Sequence, residues 1–494
     1  MADGGDKSPK ASDGGAKRDR STAIPLAVDL DGTLIKSDLL LESFLLLMKK
    51  NPLLLLVCPV WLLGGGKQRL KQEIATRVEI DAARLPYHPK VIDWLSAERE
   101  GGRTLVLATA SHRLLAEPVA AHLGLFDEVL ATDETTNLKG PNKLAALQEK
   151  FGEDFGYAGD TDADVPLWKA CRERVVVASP SKAASLAKAA GVPFDETFHP
   201  EGRGPLKALI KATRPHQWAK NLLLFVPALL AHRITDLSVM AYTALAFMAF
   251  SLLASSVYVL NDLLDIPSDR HHHRKKTRPF ASGDLSILTG FALLPVLLGA
   301  GITLTALLPV EFWGVMSVYY AITLAYSLIL KSLMLLDVMV LAGLYTVRIL
   351  AGSAATDTKV SFWLFAFSMF VFLCLAFVKR YIELWTLRSE GRDKSIGRGY
   401  RTGDIDQLQS LGSAAGYVSV LVLALYLNSP EVRALYSQPA MLWAIIPLLT
   451  YWISRIWLRA GRGEVHDDPI VYALKDPASW VIGVLACVVV LLAR

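Results

Sequence analysis

The 494 residues are 52% hydrophobic and 20% charged, with a mean hydropathy of +0.34: too apolar for two ordinary soluble domains, too charged to be membrane throughout. A net charge of +5 is modest, and no nucleic-acid partner is expected from it. The four cysteines, Cys58, Cys171, Cys374 and Cys487, lie far apart without metal-ligand spacing, which argues against a disulfide framework. Nearly all the apolar excess falls after residue 215, so the chain reads as an aqueous domain followed by a membrane domain. Residues 1–21 are rich in Gly, Ser, Asp and Lys, lack an apolar core, and are expected to be a disordered tail.

Residues 22–200 read as an α/β domain. A short apolar run, Ile24 to Leu30, is expected to be a buried strand that delivers Asp29-Leu30-Asp31-Gly32-Thr33 at its carboxyl end, where open α/β sheets place their sites. Two acids flanking one residue can divide the work: one attacks phosphorus, the other gives and takes a proton. A second strand, Thr104 to Ala108, ends in Thr109-Ala110-Ser111. Lys143 follows, then Gly156 to Asp164 with an acid cluster, and a last strand at Arg174 to Ala178.

This ordered set (DxDGT, hydroxyl, Lys, GDxxxD) resembles the haloacid dehalogenase-like (HAD-like) phosphohydrolases. The resemblance implies a Rossmannoid parallel sheet with a helical cap. It makes Asp29 the nucleophile and Asp31 the general acid/base. Thr109 would bind phosphoryl oxygens, with Ser111 as the less favoured substitute, and Lys143 would neutralise charge. It also implies Mg²⁺ held by Asp29, Asp31, Asp160 and Asp164, with Asp162 left on the surface. The cap would be the insertion at 36–100. Its stretches Leu39 to Met48 and Pro52 to Leu63 are Leu-rich, too short to span a bilayer, and separated by Lys49-Lys50-Asn51. Such a pair either packs as a hairpin within the domain or enters one leaflet with its lysines at headgroup level.

A linker is expected at about 197–212. The membrane domain, 201–494, shows about nine apolar segments and is expected to be an all-α polytopic bundle. Basic residues concentrate in the loops after the second, fourth, sixth and eighth segments, which puts those loops and the phosphatase domain in the cytoplasm. Asn261-Asp262-Leu263-Leu264-Asp265, with Asp269 four residues on, closes the second segment. On one helix these acids would share a face, where a hard cation relieves their repulsion. Ordinary capping needs one acid, not three.

The NDxxDxxxD pattern, with Arg278-Pro279-Phe280-Ala281-Ser282-Gly283 after it, resembles the UbiA-type intramembrane transferases, which use Mg²⁺ to bind and ionise a diphosphate. Such enzymes carry a second DxxxD. Here Asp337 stands alone, and Arg348, Lys379 and Arg380 follow on apolar segments, where cations are costly unless they meet an anion or a structural carboxylate. With Lys220 and Asn221 at the domain's opening, the set looks like the decaprenyl-phosphate phosphoribosyltransferase branch. That resemblance implies phosphoribosyl pyrophosphate as donor and a polyprenyl phosphate as acceptor, with Mg²⁺ on Asp262, Asp265 and Asp269. Asp262 and Asp265 are read as catalytic; Lys220, Asn221, Asn261, Arg278, Arg348, Lys379 and Arg380 are substrate-binding candidates. The phosphatase domain would then remove the 5-phosphate. The alternative is an aromatic prenyltransferase using a polyprenyl diphosphate. A multi-pass inner-membrane location is expected, and a homo-oligomer is compatible with the sequence.

Overall fold

A computed structural model describes residues 24–272, 274–394, 398–465 and 468–494; the expected tail at 1–21 lies outside the described residues. The chain separates into two compact units, one running to residue 212 with 262–291 added, the other formed by 213–261 and 292–494.

The first unit is built on a six-stranded parallel sheet: β1 (Leu26–Val28), β2 (Leu105–His112), β3 (Glu128–Thr132), β4 (Gly156–Gly159), β5 (Glu173–Val177) and β6 (Glu196–Phe198), in the order β3-β2-β1-β4-β5-β6. Strands covered on both faces must be apolar throughout, and β1, β4 and most of β2 are buried. The strand order reverses between β1 and β4, so their carboxyl ends open a crevice. Asp29 and Asp160 stand at these two ends. β3 and β6 are additions to the strands expected from sequence; β6 is short and largely exposed, with no apolar run to announce it.

The 36–100 insertion is helical. Helix Leu39–Lys50 starts on Asp38, whose side chain accepts from the Leu41 N–H, and ends on Lys49 and Lys50. It buries Leu39, Leu45 and Leu47, so the first Leu-rich stretch packs into the domain. The second does not: a 3₁₀ turn, Pro52–Leu56, leads into a kinked helix, Cys58–Ala75, whose apolar start is exposed. Segment 262–291 folds as part of this unit. Arg270 forms a two-pronged bond to Glu42 of the insertion at 2.8 and 2.7 Å, both side chains being buried.

The second unit is helical. Six helices are long and apolar enough to cross a membrane: Leu237–Leu264, Ile287–Thr305, Leu336–Thr356, Phe362–Ser389, Thr402–Leu427 and Pro439–Gly461. A seventh span results if Pro469–Lys475 and Pro477–Ala493, bent by 79°, count as one. Among the described residues this count stops short of the expected nine. Segment 217–235 does not form one long helix: a 3₁₀ stretch, Pro215–Phe225, is followed by a short helix, Val226–Leu230, with Pro227 in its first turn. Helix Val310–Leu328 also forms and is 19 residues long; Glu311, three tyrosines and a tryptophan lower its hydropathy below that of the six. The Pro477–Ala493 helix has 17 residues and reaches span length only with its bent partner.

Candidate active sites

At the carboxyl end of β1, Asp29 is buried beside Lys143, whose Nζ donates to Asp29 Oδ1 at 2.9 Å. Lys143 also donates to the Tyr157 hydroxyl at 3.1 Å, and that hydroxyl donates to Asp164 Oδ1 at 2.7 Å. Asp164 Oδ2 collects the amides of Asp160 and Thr161 and the Thr161 hydroxyl, which fixes the loop after β4. One carboxylate oxygen each from Asp29, Asp160 and Asp164 lie within 4.8 Å of one another. This all-oxygen donor set fits a hard divalent cation. Gly32, at φ +81°, passes so close to Asp160 that a Cβ there would clash with its carboxylate.

Asp31 faces elsewhere: its oxygens accept from the Leu39 N–H at 2.8 Å and from the Ser111 hydroxyl at 2.7 Å. Its side chain is not among the clustered carboxylates. Burial, reinforced by Asp38, pushes its carboxyl up to about 8, which keeps a proton available for a leaving group at neutral pH. Burial also raises Asp29, to about 6, against the pull of Lys143. Asp160 is raised to about 7 by burial and by Asp29, against the pull of Lys182. The hydroxyl beside these acids is that of Ser111; Thr109 is fully buried and accepts from the Ser111 N–H at 3.0 Å. The pairing of β2 with β3 shifts register between Thr109 and His112, which turns the strand end over. Two neighbours had no sequence signal: Lys182, 3.4 Å from Asp160, and Lys71, which the insertion extends to the Ala110 carbonyl at 2.6 Å.

The acidic row does not lie on the one continuous helix its spacing implied, although Asp262 and Asp269 still face a common group, Arg278. Asp262 sits in the last turn of Leu237–Leu264, whereas Asp265 caps a separate helix, Ile266–His271. Pro267 has no N–H to give to the carbonyl four residues before it, and the helical ladder breaks just ahead of it, at Asp265. Arg278 bridges the break, donating to Asp262 at 3.1 Å and to Asp269 at 2.6 Å. Burial raises the Asp269 carboxyl, opposed by Arg278. Asp265 pairs with Lys49 at 3.2 Å. Among the described residues these three acids do not converge to metal-binding distances as Asp29, Asp160 and Asp164 do. Their chemistry, carboxylates at a membrane-span terminus with an arginine between two of them, still suits a cation with a polyanion. Asn261 donates to Ser327 at 2.9 Å.

Within the second unit, Lys220 and Lys379 converge on one carboxylate, Asp468, at 3.0 and 2.8 Å. Two cations on one anion leave a positive charge for a ligand. Arg348 donates to Asn221 at 2.9 Å and lies over the rings of Phe250, Tyr319 and Tyr345, while Lys220 also faces Tyr345. Arg380 is held differently. It bonds Asp337 at 2.6 Å, Glu383 at 2.5 Å and Tyr326 at 3.2 Å, and Asp337 also accepts from Tyr400 and Arg398. The geometry makes Arg380 a structural partner of the lone acid rather than a group open to substrate.

Asp337→Ala is therefore expected to cost about 3 kcal/mol or more, because it leaves buried Arg380 undercompensated. Thermal unfolding in detergent measures this. Adding Arg380→Met should recover much of the loss, and no recovery would remove the pair as its source.

A model described as UbiA prenyltransferase family matches residues 222–475, and one described as haloacid dehalogenase-like hydrolase matches residues 26–169. Uncharacterized protein y4nM of Sinorhizobium fredii is 40% identical over 465 residues, covering 94% of this chain and 89% of that one. Nodulation protein NoeC of Azorhizobium caulinodans is 39% identical over 280 residues, covering 56% of this chain and 90% of its own. Decaprenyl-phosphate phosphoribosyltransferase of Mycolicibacterium smegmatis is 36% identical over 282 residues, covering 55% of this chain and 87% of its own. The chain belongs to the UbiA prenyltransferase family and carries a HAD-like hydrolase domain ahead of its membrane domain.

Proposed function

We propose that the protein is a bifunctional membrane enzyme that transfers 5-phosphoribose from phosphoribosyl pyrophosphate to a polyprenyl phosphate and then removes the 5-phosphate. The observation that carries the first half is the treatment of Asp337. The acid that would begin a second metal motif is enclosed by Arg380, Arg398 and Tyr400, while Lys220 and Lys379 gather on Asp468. One metal motif fewer and more cations suit a donor richer in phosphate than a prenyl diphosphate. The 36% identity to a decaprenyl-phosphate phosphoribosyltransferase supports the same reading.

In the transfer, an oxygen of the lipid phosphate bonds to the anomeric carbon as the carbon–pyrophosphate bond breaks, and pyrophosphate leaves. Asp262, Asp265 and Asp269 would hold Mg²⁺, which would supply Lewis-acid stabilisation of the departing pyrophosphate. Lys220, Lys379 and Arg278 are assigned to phosphate oxygens. In the second reaction, Asp29 Oδ attacks the phosphorus of the 5-phosphate and Asp31 protonates the departing sugar hydroxyl. Asp31 then takes a proton from the water that releases phosphate from Asp29. Ser111 and Lys143 hold Asp31 and Asp29 in place. Asp29, Asp160 and Asp164 would hold the Mg²⁺ of this site. Both reactions are assigned to the cytoplasmic face by the distribution of Lys and Arg among the loops. Fusion raises the effective concentration of one reaction's product at the next site.

The test supplies labelled phosphoribosyl pyrophosphate or labelled prenyl diphosphate in parallel, with polyprenyl phosphate or an aromatic acid as acceptor. Label is expected in lipid from the first donor only, and EDTA should abolish it. Transfer of the prenyl group to the aromatic ring would replace this reading with that of an aromatic prenyltransferase.

A further inference from the structure

The insertion contains an element that neither proposed reaction accounts for. In the arm at 52–63, Leu53, Leu56, Val57, Val60, Leu62 and Leu63 are exposed, Leu56 by 77% and Leu63 by 89%. Trp61 turns inward, beneath the Arg77 guanidinium, and Leu54 and Cys58 pack partly buried against the domain core. Six exposed large apolar side chains within eleven residues form a patch that an aqueous domain does not keep uncovered. The flanks are uniformly basic. From Ser43 to Gln72 the chain has no Asp or Glu, and it carries Lys49, Lys50, Lys67, Arg69 and Lys71. A patch of apolar residues with cations on both sides matches an anionic leaflet: hydrocarbon for the leucines, phosphates for the lysines.

The backbone sets the arm apart from the helix that follows. Gly65 and Gly66 interrupt Cys58–Ala75 with non-helical dihedrals, and Gly66 at φ +65° adopts a conformation that L side chains rarely take. The kink falls where the sequence changes from Leu-Leu to Lys-Gln-Arg. Beside the arm runs a groove of about 1280 Å³ with Leu46, Leu54, Ile80, Leu115 and Pro118 in its lining and Lys49, Lys50 and Arg77 among its polar groups. The same helix that leads into the arm, Leu39–Lys50, begins at Leu39, whose N–H holds Asp31. At a rise of about 1.5 Å per residue, that helix sets the arm's root roughly 18 Å from the catalytic acid.

We propose that residues 52–63 insert into the lipid bilayer as an apolar arm, with Lys49, Lys50, Lys67 and Arg69 at the phosphate level. The arm holds the phosphatase site to the membrane surface and selects phosphorylated lipids over soluble phosphate esters. Insertion stands independently of the reactions assigned above; selection of a lipid ester rests on them.

The experiment uses the full chain, with its native cysteines replaced, in nanodiscs of phosphatidylcholine and phosphatidylglycerol. Leu56→Cys, Leu63→Cys and, as an exposed control, Glu149→Cys each carry an environment-sensitive fluorophore. Lipids bearing a quencher on the acyl chain are expected to quench the labels at 56 and 63 and to spare the one at 149. Absence of lipid quenching at 56 and 63 would overturn insertion. A blue-shifted label without lipid quenching would do the same, because it identifies protein as the cover, from this chain or a second copy. The double variant Leu56→Asp with Leu63→Asp is then assayed. Its kcat/KM on bilayer-embedded phosphorylated lipid should fall about tenfold or more, mostly through KM, with p-nitrophenyl phosphate turnover unchanged. Equal loss on both substrates would make the arm part of the site's framework and overturn the lipid-selecting role. Quenching without any change on lipid ester would retain insertion and refute the substrate assignment.

Discussion

Asp29→Asn is expected to stop the protein at a lipid that still carries the ribose 5-phosphate, with phosphate release reduced at least about a thousandfold and ribose incorporation unchanged. The substitution preserves shape and removes the attacking charge. Lys143 keeps the Tyr157 hydroxyl as a partner at 3.1 Å, so the pocket retains a buried hydrogen bond when the carboxylate is gone. The Asp164 carboxylate stays bonded to Tyr157 and the Asp160–Thr161 amides, which keeps the loop after β4 in place. Chromatography of the lipid products measures the outcome. Unchanged phosphate release would show that Asp29 is not the nucleophile; loss of ribose incorporation as well would show that the two reactions are not separable.

The second large effect is expected from Asp262→Asn. Transfer to lipid should fall at least about a hundredfold, because Asp262 would hold the Mg²⁺ that offsets the charge of the departing pyrophosphate, and it would do so through its own negative charge. Hydrolysis of a soluble phosphate ester should be unaffected. Arg278 retains Asp269 at 2.6 Å, so removing one charge from Asp262 does not leave the guanidinium without an acid. Raising Mg²⁺ should restore part of the activity if the defect is metal affinity. Full transfer activity at ordinary Mg²⁺ would exclude Asp262 from the site.

The phosphatase domain was legible because its acids and lysine recur in a fixed order at the ends of apolar runs. The sheet places Asp29 and Asp160 at neighbouring strand ends, β1 and β4. The choice between Thr109 and Ser111 was not legible: residues two apart share a strand face, and the register shift that brings Ser111 to Asp31 leaves no mark in hydropathy. Nor was the role of Asp337. Its arginine lies 43 residues on and its tyrosine 63, contacts that depend on tertiary packing and not on local period. Asp468, which joins Lys220 to Lys379, is 248 residues from the first of them. The acid row shows the opposite failure. Spacing by three and four implied one continuous helix, and a break at Asp265, just ahead of Pro267, divided it. The Glu42–Arg270 pair, 228 residues apart, ties the segment bearing those acids to the cap insertion, a link that neither resemblance suggested.

The central claim, that two reactions act in sequence on one lipid, is tested most directly by following two labels of phosphoribosyl pyrophosphate, one in the ribose and one in the 5-phosphate. With purified protein, Mg²⁺ and polyprenyl phosphate, the ribose label should accumulate in lipid. The phosphate label should enter lipid first and then appear as inorganic phosphate. Retention of both labels in lipid at long times would contradict the second reaction, and absence of both from lipid would contradict the first.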